Sequence, residues 1–87
     1  MDQVSPGAKR YNPDRAAIDR QLLIEHCVAL RHLYRLSQYK MAEKMGTKQS
    51  AISELENGTG GEPKLETIQR YLGVLGHELV MGTRVMK

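Results

Sequence analysis

The 87 residues carry 13 Lys and Arg side chains against 10 Asp and Glu, for a net charge of +3. A chain of this length forms one small domain, and it contains no apolar run long enough to span a membrane. Cys27 is the single cysteine, which excludes an internal disulfide and favours a reducing, cytoplasmic location.

Positive charge is concentrated in the first part of the chain. Residues 1–50 hold nine basic and five acidic side chains, whereas residues 51–87 hold four basic and five acidic ones. This bias suits a polyanion such as DNA, although a solvated charged surface explains it as well. No apolar segment follows Lys9 and Arg10, so we expect no secretory signal.

The chain begins with a polar segment, residues 1–11, which we interpret as a flexible arm. Asn12-Pro13-Asp14 then combines a capping residue, a proline for the first helical position and an acid for the first turn. It predicts a helix to about Tyr34, with an interruption near Arg20 allowed. Its expected buried stripe comprises Leu23, Cys27, Leu30 and either Leu33 or Tyr34.

Two short helices are expected next, at 38–45 and from Lys48 or Gln49 to about Glu56. Ser37 is suited to cap the first of them, and Gly46 to end it in the left-handed conformation. The apolar positions recur at helical spacing, and one alanine permits close crossing; they are Met41, Ala42, Met45, Ile52 and Leu55. The outward side chains of the second helix are then polar: Lys48, Gln49, Ser50, Ser53 and Glu54. Two such helices at a steep angle have the geometry that enters a DNA major groove.

A turn at residues 58–63 precedes a fourth helix, expected at about 64–74 and supported by Leu65, Ile68, Leu72 and Leu75. The tail then changes to a period of two, which predicts a strand over residues 77–86. Leu79, Met81 and Val85 would line one side of it. A lone strand is unstable, so we expect it to pair with the same strand of a second subunit.

The segment from Leu30 to Leu75 resembles the Cro/cI repressor (XRE) family of helix-turn-helix domains. The resemblance is carried by Leu30-Arg31, Leu36-Ser37-Gln38, Met41-Ala42, Met45-Gly46, Gln49-Ser50-Ala51-Ile52-Ser53, Leu55-Glu56-Asn57-Gly58 and Pro63-x-Leu65. The C-terminal residues 72–81 are most similar to the HipB- and HigA-type antitoxins of that family, several of which have a strand that pairs across a dimer. The fold implied is mainly α, a repressor-like domain of four to five helices with a C-terminal β-strand.

The resemblance also implies roles for individual residues. Base readout falls to Gln49 and Ser50, with Lys48 and Glu54 beside them, and a glutamine amide matches the adenine edge. Gln38 is implied to bond a phosphate and to brace Gln49, and Asn57 to contact the DNA backbone. Lys40 and Lys48 are further candidate phosphate contacts because of their positive charge, not because of the resemblance. Arg31 and Glu56 occupy positions that form an internal ion pair in some members. For each polar residue, plain solvent exposure is the alternative.

Two positions depart from the family pattern. Lys40 stands where the family commonly has Glu, which removes a reciprocal capping box and places a cation in the first helical turn. Lys48 stands where Ser or Thr often caps the third helix, which leaves Thr47 as the substitute cap. Both changes add positive charge near the expected DNA-binding surface.

Other kinds of site find little support. His26 and Cys27 are adjacent on a helix and point apart, so with His32 and His77 they do not form a metal site. No catalytic constellation or phosphate-binding glycine loop is present, so neither an enzyme nor a cofactor is expected.

The sequence therefore predicts a DNA-binding domain at residues 12–76 and a dimerisation element at 77–87. We expect a nucleoid-associated homodimer that represses transcription from an inverted-repeat operator, with a toxin as a further partner if the chain is an antitoxin. The alternatives are a phage Cro-like or immunity regulator and an interaction module without specific DNA binding.

Overall fold

The computed structural model describes residues 12–85 and contains four helices: α1 (Pro13–Leu33), α2 (Gln38–Met45), α3 (Gln49–Asn57) and α4 (Leu65–Val74). The mainly helical fold predicted from the sequence is confirmed. The arm expected at residues 1–11 lies outside the described residues. Within residues 12–85, no helix is long and apolar enough to cross a membrane.

Helix α1 starts as the sequence predicts. The Asn12 side chain accepts a hydrogen bond of 2.9 Å from the backbone N–H of Asp14, and Pro13 fills the first turn. The helix continues unbroken through Arg20, so the interruption allowed there does not occur. Its interior, residues 14–33, holds neither Gly nor Pro, so no residue in it interrupts the backbone hydrogen bonds.

The buried side of α1 differs from the prediction at its C-terminal end. Ile24, Cys27 and Leu30 are buried, but Leu33 is 70% exposed and Tyr34 is 48% exposed. Leu33 lies about 120° around the helix from Cys27, so it falls outside the stripe. Tyr34 is the C-cap residue, and its hydroxyl lies 2.9 Å from Nε2 of His77.

All four helices end in the same backbone motif, in which an N–H bonds the carbonyl oxygen five residues earlier at 2.9–3.1 Å. Each motif has one residue in the left-handed conformation. Three of these are glycines, as Gly46 was predicted to be, and the fourth is an arginine; the residues and their φ angles are Arg35 (58°), Gly46 (70°), Gly58 (72°) and Gly76 (77°). The end of α1 therefore has the same backbone motif as the other three but a different residue type at its left-handed position.

Helix α2 packs against α3 and α4, and α1 packs against α3. The core between them is formed by buried side chains from all four helices and the residue after α4, namely Ile24, Cys27, Leu30, Met41, Ala42, Met45, Ile52, Ile68, Tyr71, Leu72 and Leu75. Tyr71, which was not among the apolar residues used to predict α4, is fully buried, whereas Leu65, which was among them, is 46% exposed. Because Tyr71 and Ile68 both face the core, the buried side of α4 turns Leu65 to its edge.

The prediction of a strand at residues 77–86 was wrong for the described part of the tail: residues 77–85 adopt neither helix nor strand. A strand needs a hydrogen-bonding neighbour, and residues 12–85 supply no second extended segment beside this one. Leu79 is partly buried against the core, whereas Met81 and Val85 are 65% and 88% exposed. The three side chains therefore do not form one common surface within a single chain.

Candidate nucleic-acid interface

Helix α3 begins at Gln49, one of the two predicted starts, but its N-cap lies one residue later than the predicted cap Thr47. Lys48 occupies the N-cap position with an extended backbone and no side-chain capping bond. Thr47, the predicted substitute cap, is not the cap, because its N–H closes the end of α2 on the carbonyl of Ala42 at 2.9 Å. The first turn of α3 thus leaves its N–H groups without a side-chain acceptor and carries a positive charge beside them.

The polar face of α3 is open to solvent. Ile52 is 2% exposed and anchors the opposite side of the helix in the core. Gln49, Ser50 and Glu54 are exposed, as is Asn57 at the C-terminal end. The structure thus brings the predicted base-reading residues together on one accessible surface, next to Lys48.

A shallow cleft of about 460 Å³ lies between α2 and the start of α3, lined by Tyr39, Ala42, Glu43, Thr47, Lys48 and Gln49. Tyr39 is 63% exposed at its edge. The ring can contact a thymine methyl group, and the hydroxyl can bond a phosphate. Sequence reasoning missed Tyr39 as a candidate contact; its helical position away from Met41 and Met45 was the available signal.

Three predicted phosphate contacts already have protein partners; Lys40 and Asn57 are described here and Gln38 below. The Lys40 ammonium lies 2.9 Å from Oε1 of Glu43, and both side chains are about half exposed. This hydrogen bond and the opposite charges raise the pKa of Lys40 and lower that of Glu43. The Asn57 amide donates to Oγ of Ser53 at 3.2 Å. Within residues 12–85, Lys48 makes no ion pair, so its charge is available to a ligand.

Glu56 is the centre of a buried hydrogen-bond network behind this surface. Arg31 donates to both carboxylate oxygens, from Nε to Oε2 at 2.7 Å and from Nη2 to Oε1 at 2.8 Å. The ion pair implied by the family resemblance is therefore present. Tyr71 adds a third bond, from its hydroxyl to Oε2 at 2.6 Å. The network joins α1, α3 and α4.

Gln38 belongs to the same network. The expectation that it braces Gln49 was wrong. Its amide donates to Oε1 of Glu56 at 3.0 Å, because the carboxylate is the stronger acceptor. The amide has a second hydrogen, which this bond leaves available. The first turn of α2 is thereby tied to the C-terminal half of α3.

The Glu56 carboxylate is ionised despite its burial. Its side chain is 5% exposed, and that of Arg31 is 8% exposed. Burial acts to raise the pKa of Glu56, but the hydrogen bonds from Arg31, Tyr71 and Gln38 prevail and lower it. Burial, together with the neighbouring carboxylate, raises the pKa of Tyr71. Tyr71 therefore remains a hydrogen-bond donor.

The His and Cys residues form no metal site in the part of the chain that the structure describes. No three His, Cys, Asp or Glu side chains group closely enough among residues 12–85 to hold an ion. Cys27 is buried, and this burial, with the negative charge of Glu56, raises the pKa of its thiol to about 11. A protonated buried thiol is a poor metal ligand.

Comparison with known proteins agrees with this geometry. The family model described as helix-turn-helix matches residues 29–79, which contain α2, α3 and α4. The chain belongs to the helix-turn-helix family. The resemblance to XRE-type domains is thus confirmed, and the family is one of DNA-binding domains.

Two curated proteins are similar to the chain, both named Antitoxin HigA1, from Mycobacterium tuberculosis strains CDC 1551 / Oshkosh and ATCC 25618 / H37Rv. Each is 36% identical over 63 residues, which cover 72% of this chain and 42% of the relative. The chain thus matches less than half the length of these relatives. No solved structure gives a significant match.

Proposed function

We propose that the chain is a sequence-specific DNA-binding repressor that acts as a homodimer on an inverted repeat. The observation that carries this proposal is the exposed polar face of α3 beside a buried Ile52. A helix of this kind, joined to the preceding helix by a short turn, presents side chains to base edges in the major groove. Gln49 and Ser50 are the proposed readers, flanked by Lys48 and Glu54.

The proposed phosphate contacts surround the readers. Lys48 lies at the start of α3 and Asn57 at its end, whereas Gln38 and Lys40 lie in the first turn of α2. Lys40 would exchange its exposed bond to Glu43 for a phosphate, since an exposed ion pair holds weakly.

The dimer is proposed to form through the tail. One short α3 contacts too few base pairs for operator-level specificity, so two copies are needed. Met81 and Val85 are exposed apolar side chains that lie on the same side of an extended tail, where a second tail can cover them. Pairing of two tails as antiparallel strands would also satisfy their backbone groups.

We further propose that the chain is an antitoxin that represses its own operon and binds a toxin. The similarity to proteins named Antitoxin HigA1 supports this narrower proposal. The test is co-expression with the product of a neighbouring toxin-sized reading frame. Co-purification and rescue of growth are expected, and growth arrest in the presence of the chain would contradict the proposal.

DNA binding is tested by selecting sequences from a random duplex library with the full chain. We expect an inverted repeat with half-site centres about 10–10.5 bp apart, or a multiple of this spacing. Footprinting on the selected duplex should protect both half-sites. Protection of one isolated half-site at full affinity would contradict the dimeric mode.

A second candidate function, protein interaction without specific DNA binding, is favoured by one observation on α1. Ile18, Leu22 and Leu33 are 54%, 57% and 70% exposed. They lie within about 60° of one another on the side of α1 opposite Cys27. Selection that yields no sequence preference, together with DNA binding that is absent or insensitive to salt, would favour this alternative.

A further inference from the structure

Arg35 has a backbone conformation that its side chain disfavours. It is the single non-glycine residue with a positive φ among residues 12–85, at 58°. At the same place in the other three helix ends stand Gly46, Gly58 and Gly76. A glycine there would relieve the steric conflict between Cβ and the following carbonyl, so the local fold alone gives no reason for an arginine.

The turn that holds Arg35 leads directly into the proposed phosphate contacts. The N–H of Arg35 donates to the carbonyl of His32 at 3.0 Å. The carbonyl of the next residue, Leu36, accepts a hydrogen bond of 2.8 Å from Nη1 of Arg31. Arg35 is two residues before the Ser37 cap and three before Gln38. These bonds fix the backbone of Arg35 beside the first turn of α2.

Arg31, in the last turn of α1, and Arg35, in the turn that follows, are used differently. Arg31 is 6% exposed and has its guanidinium committed to Glu56 and to the Leu36 carbonyl. Arg35 is exposed, and among residues 12–85 it makes no ion pair. Its guanidinium is therefore the available positive charge of the turn.

We propose that Arg35 is a further DNA contact, binding a backbone phosphate next to the one assigned to Gln38. A guanidinium bonds two phosphate oxygens at once and keeps its charge at every working pH. The inference rests on the proposed DNA-binding function and adds to it a residue outside the helix pair. This contact gives a reason for an arginine at a position where the backbone conformation favours glycine.

The variant Arg35→Gly tests the inference through two readouts that change in opposite directions. Relief of the backbone conflict should raise Tm by about 4 °C. Loss of one phosphate contact should lower the slope of log affinity against log salt by about 1. The probe is a labelled 30-bp duplex of scrambled sequence, because a phosphate contact acts on every sequence. If counterion release is the whole effect, the affinity of Arg35→Gly for this duplex should be lower than that of the natural chain by about 15-fold at 50 mM salt and about fourfold at 200 mM.

Two variants serve as controls. Arg35→Lys keeps the charge in the same backbone conformation and should keep the salt slope. Arg15→Gln removes one exposed positive charge about 30 Å from Arg35, measured along α1. Arg15 pairs there with Asp19 at 3.0 Å. It should leave the slope unchanged, which separates a local contact from the effect of net charge.

The results distinguish this inference from the proposed function. If the natural chain binds the duplex and Arg35→Gly keeps the full salt slope, the Arg35 contact is overturned and DNA binding stands. An equal loss of slope in Arg15→Gln and Arg35→Gly would overturn it as well. If the natural chain shows no salt-dependent binding, the proposed function fails first, and the inference fails with it.

Discussion

The hydroxyl of Tyr71 donates a 2.6 Å hydrogen bond to Oε2 of Glu56, so a fully buried side chain of α4 helps to hold α3. Arg31 bonds the same oxygen from α1 at 2.7 Å. The position of the proposed recognition helix therefore depends on one buried carboxylate with partners on other helices.

Removing either end of the Tyr71–Glu56 bond should have effects of different size. Tyr71→Phe removes one bond to a charged group and should lower the free energy of unfolding by about 1.5–3 kcal/mol. Glu56→Ala leaves the Arg31 charge buried without its partner and should cost about 3–5 kcal/mol. Urea unfolding of both variants measures this order. A cost for Glu56→Ala no larger than that for Tyr71→Phe would contradict the central role of Glu56.

The network also predicts an acid dependence of stability. The folded state holds the pKa of Glu56 below its ordinary value. The stabilisation is thus complete above the pKa of the unfolded chain, about 4.3, and is lost as the pH falls through the lower folded pKa. Glu56→Gln should lose less unfolding free energy between pH 5 and pH 3 than the natural chain. Urea unfolding at both pH values measures the difference, and equal losses in Glu56→Gln and the natural chain would contradict the prediction.

Substitutions of two neighbouring residues at the start of α3 should weaken DNA binding in different ways. Gln49→Ala, which removes a bidentate base contact, should cost about 1–3 kcal/mol on the operator and relax preference at one base pair. Lys48→Ala should weaken binding to all sequences alike and lower the salt slope by about 1. Titration against operator and scrambled duplexes separates them. Equal losses on both duplexes for Gln49→Ala would mean that Gln49 does not read a base.

Deleting residues 77–87 should produce monomers that keep the helical fold but bind the operator much more weakly. The deletion uncovers the partly buried site of Leu79 and removes the His77 N–H that bonds the Leu72 carbonyl at the end of α4. It also removes the exposed Met81 and Val85. Sedimentation and operator titration measure the two effects. Because the deletion also removes the bond between His77 and Tyr34, Tyr34→Phe is the control and should remain dimeric. A truncated chain that stays dimeric would place the interface elsewhere, most plainly on the outer side of α1.

The features that the sequence predicted correctly depend on neighbours in the chain. Asn12 and Ser37 cap their helices through bonds spanning two and three residues, and Gly46 ends α2 within one turn. Such signals can be read locally. By contrast, the bond from Tyr71 to Glu56 and that from Arg70 to the carbonyl of Met45 span 15 and 25 residues. No spacing rule predicts which distant polar groups will meet.

The candidate interface divides in the same way. Helical periodicity was enough to place Gln49 and Ser50 on an exposed face. It gave no signal for Arg35, since an arginine in the left-handed conformation becomes visible only once φ is known. The family resemblance paired Gln38 with Gln49, and this was wrong. The partner is Glu56, whose burial is a property of the assembled core.

The spacing of the Glu56 partners has a consequence for the order of folding. Helices α2 and α3 are separated by residues 46–48 alone, so their mutual contacts close a short loop at little entropic cost. Glu56 meets Arg31 only across 25 residues, and α4 must also arrive before Tyr71 can bond to it. The helix pair is therefore expected to assemble in the folding transition state, with the buried network completed afterwards. Changes at Glu56 would then act chiefly on the rate of unfolding, leaving the rate of folding nearly unchanged.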